Sequence, residues 1–174
     1  MSIQIKSYTV GCLIALLPIL TFAQGCYKDN TATTPTNRFI IIKNGTVSDL
    51  KTGLMWKRCA EGQTWSGTTC LGEAKPYGWS EALKRAKTGY MGYTDWRVPN
   101  IKELSSIVEK QCKQPAINSI LFPVTINGRF WSSSSFVSNP SQGWYVDFER
   151  GTTEILDAGN KSIANYVRLV RSGQ

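Results

Sequence analysis

Four cysteines downstream of an apolar leader constrain this chain more than any other feature. Residues 10–22 form an uncharged run rich in Leu and Ile, Lys6 precedes it, and Thr21-Phe22-Ala23 closes it with a small residue. That order is the charged, apolar and cleavage-site pattern of a secretory signal peptide. The run is about a dozen residues long, short of the roughly 20 that a membrane-spanning helix needs, and it contains Pro18. Residues 1–23 are therefore expected to be a removed signal, leaving no transmembrane segment after cleavage. The mature protein should be exported, either to the periplasm or to the cell surface.

Cys12 leaves with the signal, and Cys26, Cys59, Cys70 and Cys112 remain. An even number of cysteines in an oxidising compartment implies disulfides, with three connectivities open. Cys59–Cys70 is the most local pair; the partner choice is then Cys26–Cys112, which would tie the N-terminal segment to the middle of the domain. Ala23-Gln24-Gly25 before Cys26 resembles a lipidation box only at Gly25, and a lipid on Cys26 would strand one thiol. A structural metal fits poorly, because no C-x-x-C spacing occurs and the chain has no histidine. No metal and no cofactor are expected.

Cleavage removes one of twenty basic residues, Lys6, and none of the twelve acids, so the mature chain carries a formal charge of +7. Such a balance favours acidic partners. The basic residues are scattered rather than clustered, and an exported protein seldom meets nucleic acid, so an anionic glycan is the better match. About 150 mature residues are enough for one core.

The order of elements reads as follows. Residues 24–37 are polar and Thr-rich, an extended leader. Phe39-Ile40-Ile41-Ile42 is a strand, Asn44-Gly45 a hairpin turn, Thr46–Asp49 the returning strand, and Leu54-Met55-Trp56 a third. The segment between Cys59 and Cys70 reads as a surface loop. A helix from about Ser80 would bury Trp79, Leu83 and Ala86. A second begins after Pro99, with Asn100 and Glu103 as a capping box and Ile101, Leu104, Ile107 and Val108 on one face, ending at Cys112. Strands follow around Phe130–Ser132, Trp144–Phe148, Thr153–Leu156 and Tyr166–Arg171. Helices first and strands after indicate an α+β domain.

Five blocks in order carry a resemblance: Asn44–Asp49, Lys51–Trp56, Gly92–Asn100, Phe130–Ser134 and Tyr166–Arg171. Together they resemble the Lcl C-terminal domain family, named for the end domain of the Legionella collagen-like adhesin, over residues 38–174. The resemblance implies an exported bacterial protein with a C-type-lectin-like fold, two helices packed on a twisted antiparallel sheet and stabilised by disulfides. It also implies binding to sulfated glycans. No collagen-like repeat is present, so a trimeric stalk does not carry over.

Without histidine, neither a Ser-His-Asp nor a Cys-His arrangement is available. Strand alternation sets Trp144, Val146 and Phe148 on one face and Tyr145, Asp147 and Glu149 on the other. Asp147 and Glu149 lie at a separation an inverting glycosidase could use, roughly 7 Å. A solvent-exposed face explains the pair more simply, and the chain is read as non-enzymatic. Calcium held by these acids with Glu154 or Asp157 is disfavoured, because the Glu-Pro-Asn and Gln-Pro-Asp motifs of calcium-dependent lectins are absent. A ligand surface is placed between Arg129 and Lys161, with Arg129, Tyr145, Arg150 and Lys161 as its exposed aromatic and basic members. Trp56, Trp79, Trp96 and Trp131 read as core. Arg97, Arg168 and Arg171 read as structural, paired with carboxylates such as Asp95. The expected function is binding or adhesion through an anionic glycan or a surface partner; docking on a pilus or secretion component is the alternative.

Overall fold

The computed structural model describes residues 24–27, 29, 31–86, 89–157 and 163–173; the expected signal lies outside them. In chain order the first strands are β1 (Gly25–Cys26), β2 (Phe39–Ile42), β3 (Thr46–Asp49), β4 (Leu54–Lys57), β5 (Thr64–Trp65) and β6 (Cys70–Leu71). Helices α1 (Trp79–Arg85) and α2 (Ile101–Ser105) follow, and then β7 (Cys112–Lys113), β8 (Arg129–Phe136), β9 (Asn139–Asp147), β10 (Thr152–Asp157) and β11 (Val170–Ser172).

Asn44-Gly45 makes the β2–β3 hairpin. The Asn44 side chain accepts from the Thr46 amide and hydroxyl at 3.1 and 2.7 Å, and Gly45 takes a φ of +85°. Glycine adopts that left-handed backbone without strain. It is also sterically required, since a Cβ there would lie 2.5 Å from the Trp65 ring and 2.7 Å from the Tyr90 hydroxyl.

Two antiparallel sheets result, of order β2-β3-β4-β11 and β8-β9-β10, with two-stranded ladders β1-β7 and β5-β6 beside them. The single twisted sheet expected from the resemblance is thus divided, although the α+β class holds. The segment leading into β11 stitches the two halves together. On one side Trp131 N donates to Tyr166 O and Tyr166 N to Arg129 O; on the other Lys57 N donates to Leu169 O and Glu61 N to Val167 O. A strand bonded on both edges and packed on both faces should be apolar throughout. Val167, Leu169 and Val170 are accordingly fully buried, and Arg168 lies among them.

Two cores form on the two faces of these sheets. One gathers Val47, Trp56, Leu104, Ile107, Phe122, Phe130, Val146 and Phe148. The other holds Met55, Tyr77, Ala82, Trp96, Trp131, Tyr145, Val167 and Leu169. Neighbours in sequence therefore point to opposite cores: Met55 and Trp56 on β4, Phe130 and Trp131 on β8, Tyr145 and Val146 on β9.

Several local expectations need correction. In α1 it is Ala82, with Ala86 just beyond, that packs inward, while Leu83 is exposed. Helix α2 has the expected capping box but spans only 5 residues. Beyond it the backbone tightens, Ile107 N bonding Leu104 O and Val108 N bonding Ser105 O, and the Ser105 and Ser106 hydroxyls donate to carbonyls of the same turn at 2.7 Å. Serine hydroxyls that bond the local backbone weaken a helix. Ile107 and Val108 still reach the core, but from turns, and Cys112 lies on a strand.

Both cysteine pairs favoured by the sequence are formed, Cys26–Cys112 and Cys59–Cys70. The loop closed by the second contains the β5–β6 hairpin, with Trp65 under the Arg58 guanidinium at 4.3 Å. The leader is docked rather than loose. Gln24 Nε2 donates to the Pro115 and Ile117 carbonyls, and Thr33 and Thr34 bond the Glu109 side chain.

Candidate functional site

The β8-β9-β10 sheet carries the residues singled out as a ligand surface. Because β9 is its central strand and both faces are covered, Tyr145 is buried, not exposed as expected. Its ring packs edge-on to Trp131, centroids 6.4 Å apart, and its hydroxyl donates to Glu154 Oε2 at 2.6 Å. Burial, and then this bond to a carboxylate, push the Tyr145 pKa up to about 12. Glu154 also accepts from the Thr152 hydroxyl, and the two hydroxyls hold its carboxyl below the ordinary range, with Arg129 and Arg150 acting in the same sense.

Arg129 is exposed with its guanidinium 5.3 Å from the Tyr145 ring centre, and Arg150 is exposed in the β9–β10 turn. The structure thus brings Arg129, Tyr145, Glu154 and Arg150 to one corner. Lys161 lies outside the described residues. Asp147 is buried, and its Oδ1 accepts from the Glu149 amide at 2.8 Å, so this carboxylate caps the hairpin turn instead of lining a solvent-exposed face. Among the described residues no group of three or more Cys, Asp or Glu side chains is placed to hold a metal ion.

The opposite face of the same sheet holds a groove that sequence reading missed. It encloses about 520 Å³ and is lined by Ile101, Lys102, Ser105 and Ser106 of α2 and its end, and by Trp144 and Thr153. Alternation places Trp144 on the same face as Val146, but α2 covers Val146 and leaves Trp144 half-buried at the rim. No local signal connects Ser105 with Trp144 and Thr153 of the β9–β10 hairpin, which lies some 40 positions further along the chain.

The arginines read as structural each engage groups of the fold. Arg97 makes a two-pronged pair with Glu103, 2.7 Å on each arm, anchoring the capping box of α2. Arg171 Nε donates to Asp95 at 2.7 Å. Arg168 departs from expectation, because its partners are the Lys57 and Arg58 carbonyls and the Thr125 hydroxyl rather than a carboxylate. Trp56, Trp96 and Trp131 are core, whereas Trp79 is half-buried and donates to Ser132 O.

Residues 45–171 match the description Lcl C-terminal domain. The chain belongs to the Lcl C-terminal domain family. No curated protein matches the chain. Membership supports an adhesin-like extracellular domain. For this Lcl C-terminal domain, two disulfides accord with export, and among the described residues no helix is long and apolar enough to cross a membrane.

Proposed function

We propose that this protein is an exported, non-enzymatic binding domain of the adhesin type, with a C-type-lectin-like fold, that recognises an anionic, sulfated glycan. One observation carries the reading. Among the described residues, seven acids are bound by other groups of the fold, and exposed cations outnumber exposed acids. Asp49, Glu61, Asp95 and Glu103 are in ion pairs, Glu109 is bound by threonines, Asp147 caps a turn, and Glu154 is held by Tyr145 and Thr152. Among the described residues, Lys43, Lys51, Lys75, Lys84, Lys102 and Lys110 are exposed with no acid partner, and Arg129 and Arg150 are exposed beside Glu154.

A surface of this kind presents a more positive field than net charge alone conveys, and it attracts polyanions in a salt-dependent way. The test is binding of the full mature chain to a sulfated-glycan array, with heparin affinity measured as salt is raised. Specific sulfated glycans retained at physiological salt support the reading; release at modest salt with no array signal overturns it.

A further inference from the structure

The six tryptophans divide by what their indole N–H meets. Trp65, Trp79, Trp96 and Trp131 donate to the carbonyls of Lys43, Ser132, Tyr90 and Tyr77, and the Trp56 N–H, which also has no partner among the described residues, is sealed in the core where no ligand reaches it. Trp144 is the remaining one. It is half-buried in the groove, braced edge-on by Phe136 with centroids 6.1 Å apart, and its N–H is bonded to no group among the described residues.

Around this ring the groove has hydroxyls and one cation. Ser105 Oγ donates to Ile101 O at 2.7 Å and sits 3.2 Å from Thr153 Oγ1, and Ser106 Oγ donates to Glu103 O at 2.7 Å. Each serine hydroxyl anchored in this way keeps lone pairs able to accept a hydrogen bond. Lys102 is exposed and, among the described residues, without an acid partner, since the neighbouring Glu103 is occupied by Arg97. An apolar aromatic surface with a few convergent polar groups in a cavity of this size is the pattern of a small-ligand site.

We propose that the Trp144 groove is the subsite for a sugar ring bearing an acidic group, an inference that rests on the glycan reading above. The C–H face of the pyranose stacks on the indole, and ring hydroxyls donate to Ser105, Ser106 and Thr153. The indole N–H and the Lys102 ammonium meet the acidic substituent. Arg129 and Arg150 lie at the corner on the opposite sheet face, so the two surfaces separate experimentally.

The experiment is titration calorimetry of the mature full chain with a short heparin oligosaccharide and its desulfated counterpart. Trp144→Ala should weaken binding about tenfold or more, the loss of one well-packed aromatic contact. Lys102→Gln should shrink the preference for the sulfated form. The double variant Arg129→Ala with Arg150→Ala should lose less affinity than Trp144→Ala, because its solvent-screened charges lie outside the groove. Because truncating Trp144 also removes its packing on Phe136, Trp144→Tyr is the second variant: it should retain most of the affinity and lose the indole emission change that ligand causes in the wild type. If the wild type binds and Trp144→Ala binds equally, or only the Arg129/Arg150 variant loses affinity, the groove is not the subsite. A wild type that binds neither oligosaccharide overturns the glycan reading itself.

Discussion

The Glu109 carboxylate holds Thr34 by two hydrogen bonds to one oxygen, accepting the Thr34 amide at 2.7 Å and its hydroxyl at 2.8 Å. Its other oxygen accepts the Thr33 amide and hydroxyl at 2.9 and 3.1 Å and the Gln111 amide at 3.0 Å. Glu109 and Thr34 are both buried. A polar, Thr-rich segment with almost no apolar residues is fixed to the domain by a charge-assisted network in place of a hydrophobic one.

Glu109→Gln keeps the shape of the side chain but replaces an acceptor oxygen with a donor facing N–H and O–H groups. The expected cost is about 1.5–3 kcal/mol, the range for hydrogen bonds to a charged group left unmade. Urea unfolding measures the total, and hydrogen exchange should show the Thr33 and Thr34 amides losing protection first. Burial raises the Glu109 pKa, but the surrounding amides and hydroxyl outweigh it and hold the carboxyl below its ordinary 4.5. The unfolded chain therefore binds this proton more readily than the folded one. The stabilisation is complete above about pH 4.5 and is lost as pH falls through the lower folded value. Asp49 and Glu103 are lowered in the same sense. The Glu109 part is thus read as the difference between wild type and Glu109→Gln, which should diminish as the pH is lowered.

The Cys26–Cys112 disulfide pins the same segment covalently, beside the β1–β7 ladder. Its cysteines are 86 positions apart, and those of Cys59–Cys70 are 11 apart. In the loop-entropy account this gives about 4.5 kcal/mol for the long closure and about 3 for the short one. Replacing Cys26 and Cys112 by serine should therefore cost more than replacing Cys59 and Cys70, as measured by thermal unfolding. Adding Glu109→Gln to the Cys26/Cys112 variant should cost less than it does alone, because a segment already released has less to lose. Strict additivity would show that network and disulfide stabilise separate units.

What the sequence made legible was local. Asn44-Gly45 and the Asn100/Glu103 box each complete their geometry within four residues, so composition and spacing suffice to read them. The alternation of Tyr145 and Asp147 with Val146 was equally visible. Its meaning was not, since it presupposes one wet face, and β9 has a core on each side. Helical spacing likewise put Ile107 and Val108 inside correctly but extended α2 through them. The Ser105 and Ser106 hydroxyls bond the backbone at the helix end, and the turns beyond it are held by Thr33 and Thr34 on Val108 O and the Glu109 side chain, contacts across some 75 positions. The Trp144 groove is assembled by tertiary packing alone.

Tyr145 gives a spectroscopic test of this two-sided burial. With a folded pKa of about 12 against an ordinary 10.0, its phenol should ionise only after most other tyrosines, as should Tyr90, which burial also raises. A raised pKa means that the neutral phenol is the stabilised form. Its contribution is complete below pH 10 and is lost as pH rises through about 12. In an alkaline titration followed by phenolate absorbance, Tyr145→Phe should remove one late-ionising group and lower stability near neutral pH by about 1 kcal/mol, the usual worth of a hydrogen bond. Loss of an early-ionising group instead would mean that Tyr145 is open to solvent.

Arg168 sits where the two sheets are stitched together, fully buried and, among the described residues, bonded to no carboxylate. Its Nη1 donates to Lys57 O at 3.0 Å and to Arg58 O, its Nη2 to Thr125 Oγ1 at 2.8 Å, and its guanidinium lies 4.8 Å from the Phe122 ring centre. Burial pulls its pKa down to about 9. A forked, planar cation satisfies two carbonyls of the β4 end and a hydroxyl of the 125 region at once, which a single ammonium cannot do. Arg168→Ala leaves those carbonyls buried and unpaired and opens a cavity between Phe122 and Phe130, with an expected loss of about 3–5 kcal/mol. Arg168→Lys should recover only part of it. Arg168→Met separates packing from hydrogen bonding: it fills the volume yet leaves the carbonyls bare, so its urea midpoint should fall between those of the alanine variant and the wild type. A methionine variant as stable as the wild type would show that volume, and not the fork of hydrogen bonds, joins the two sheets.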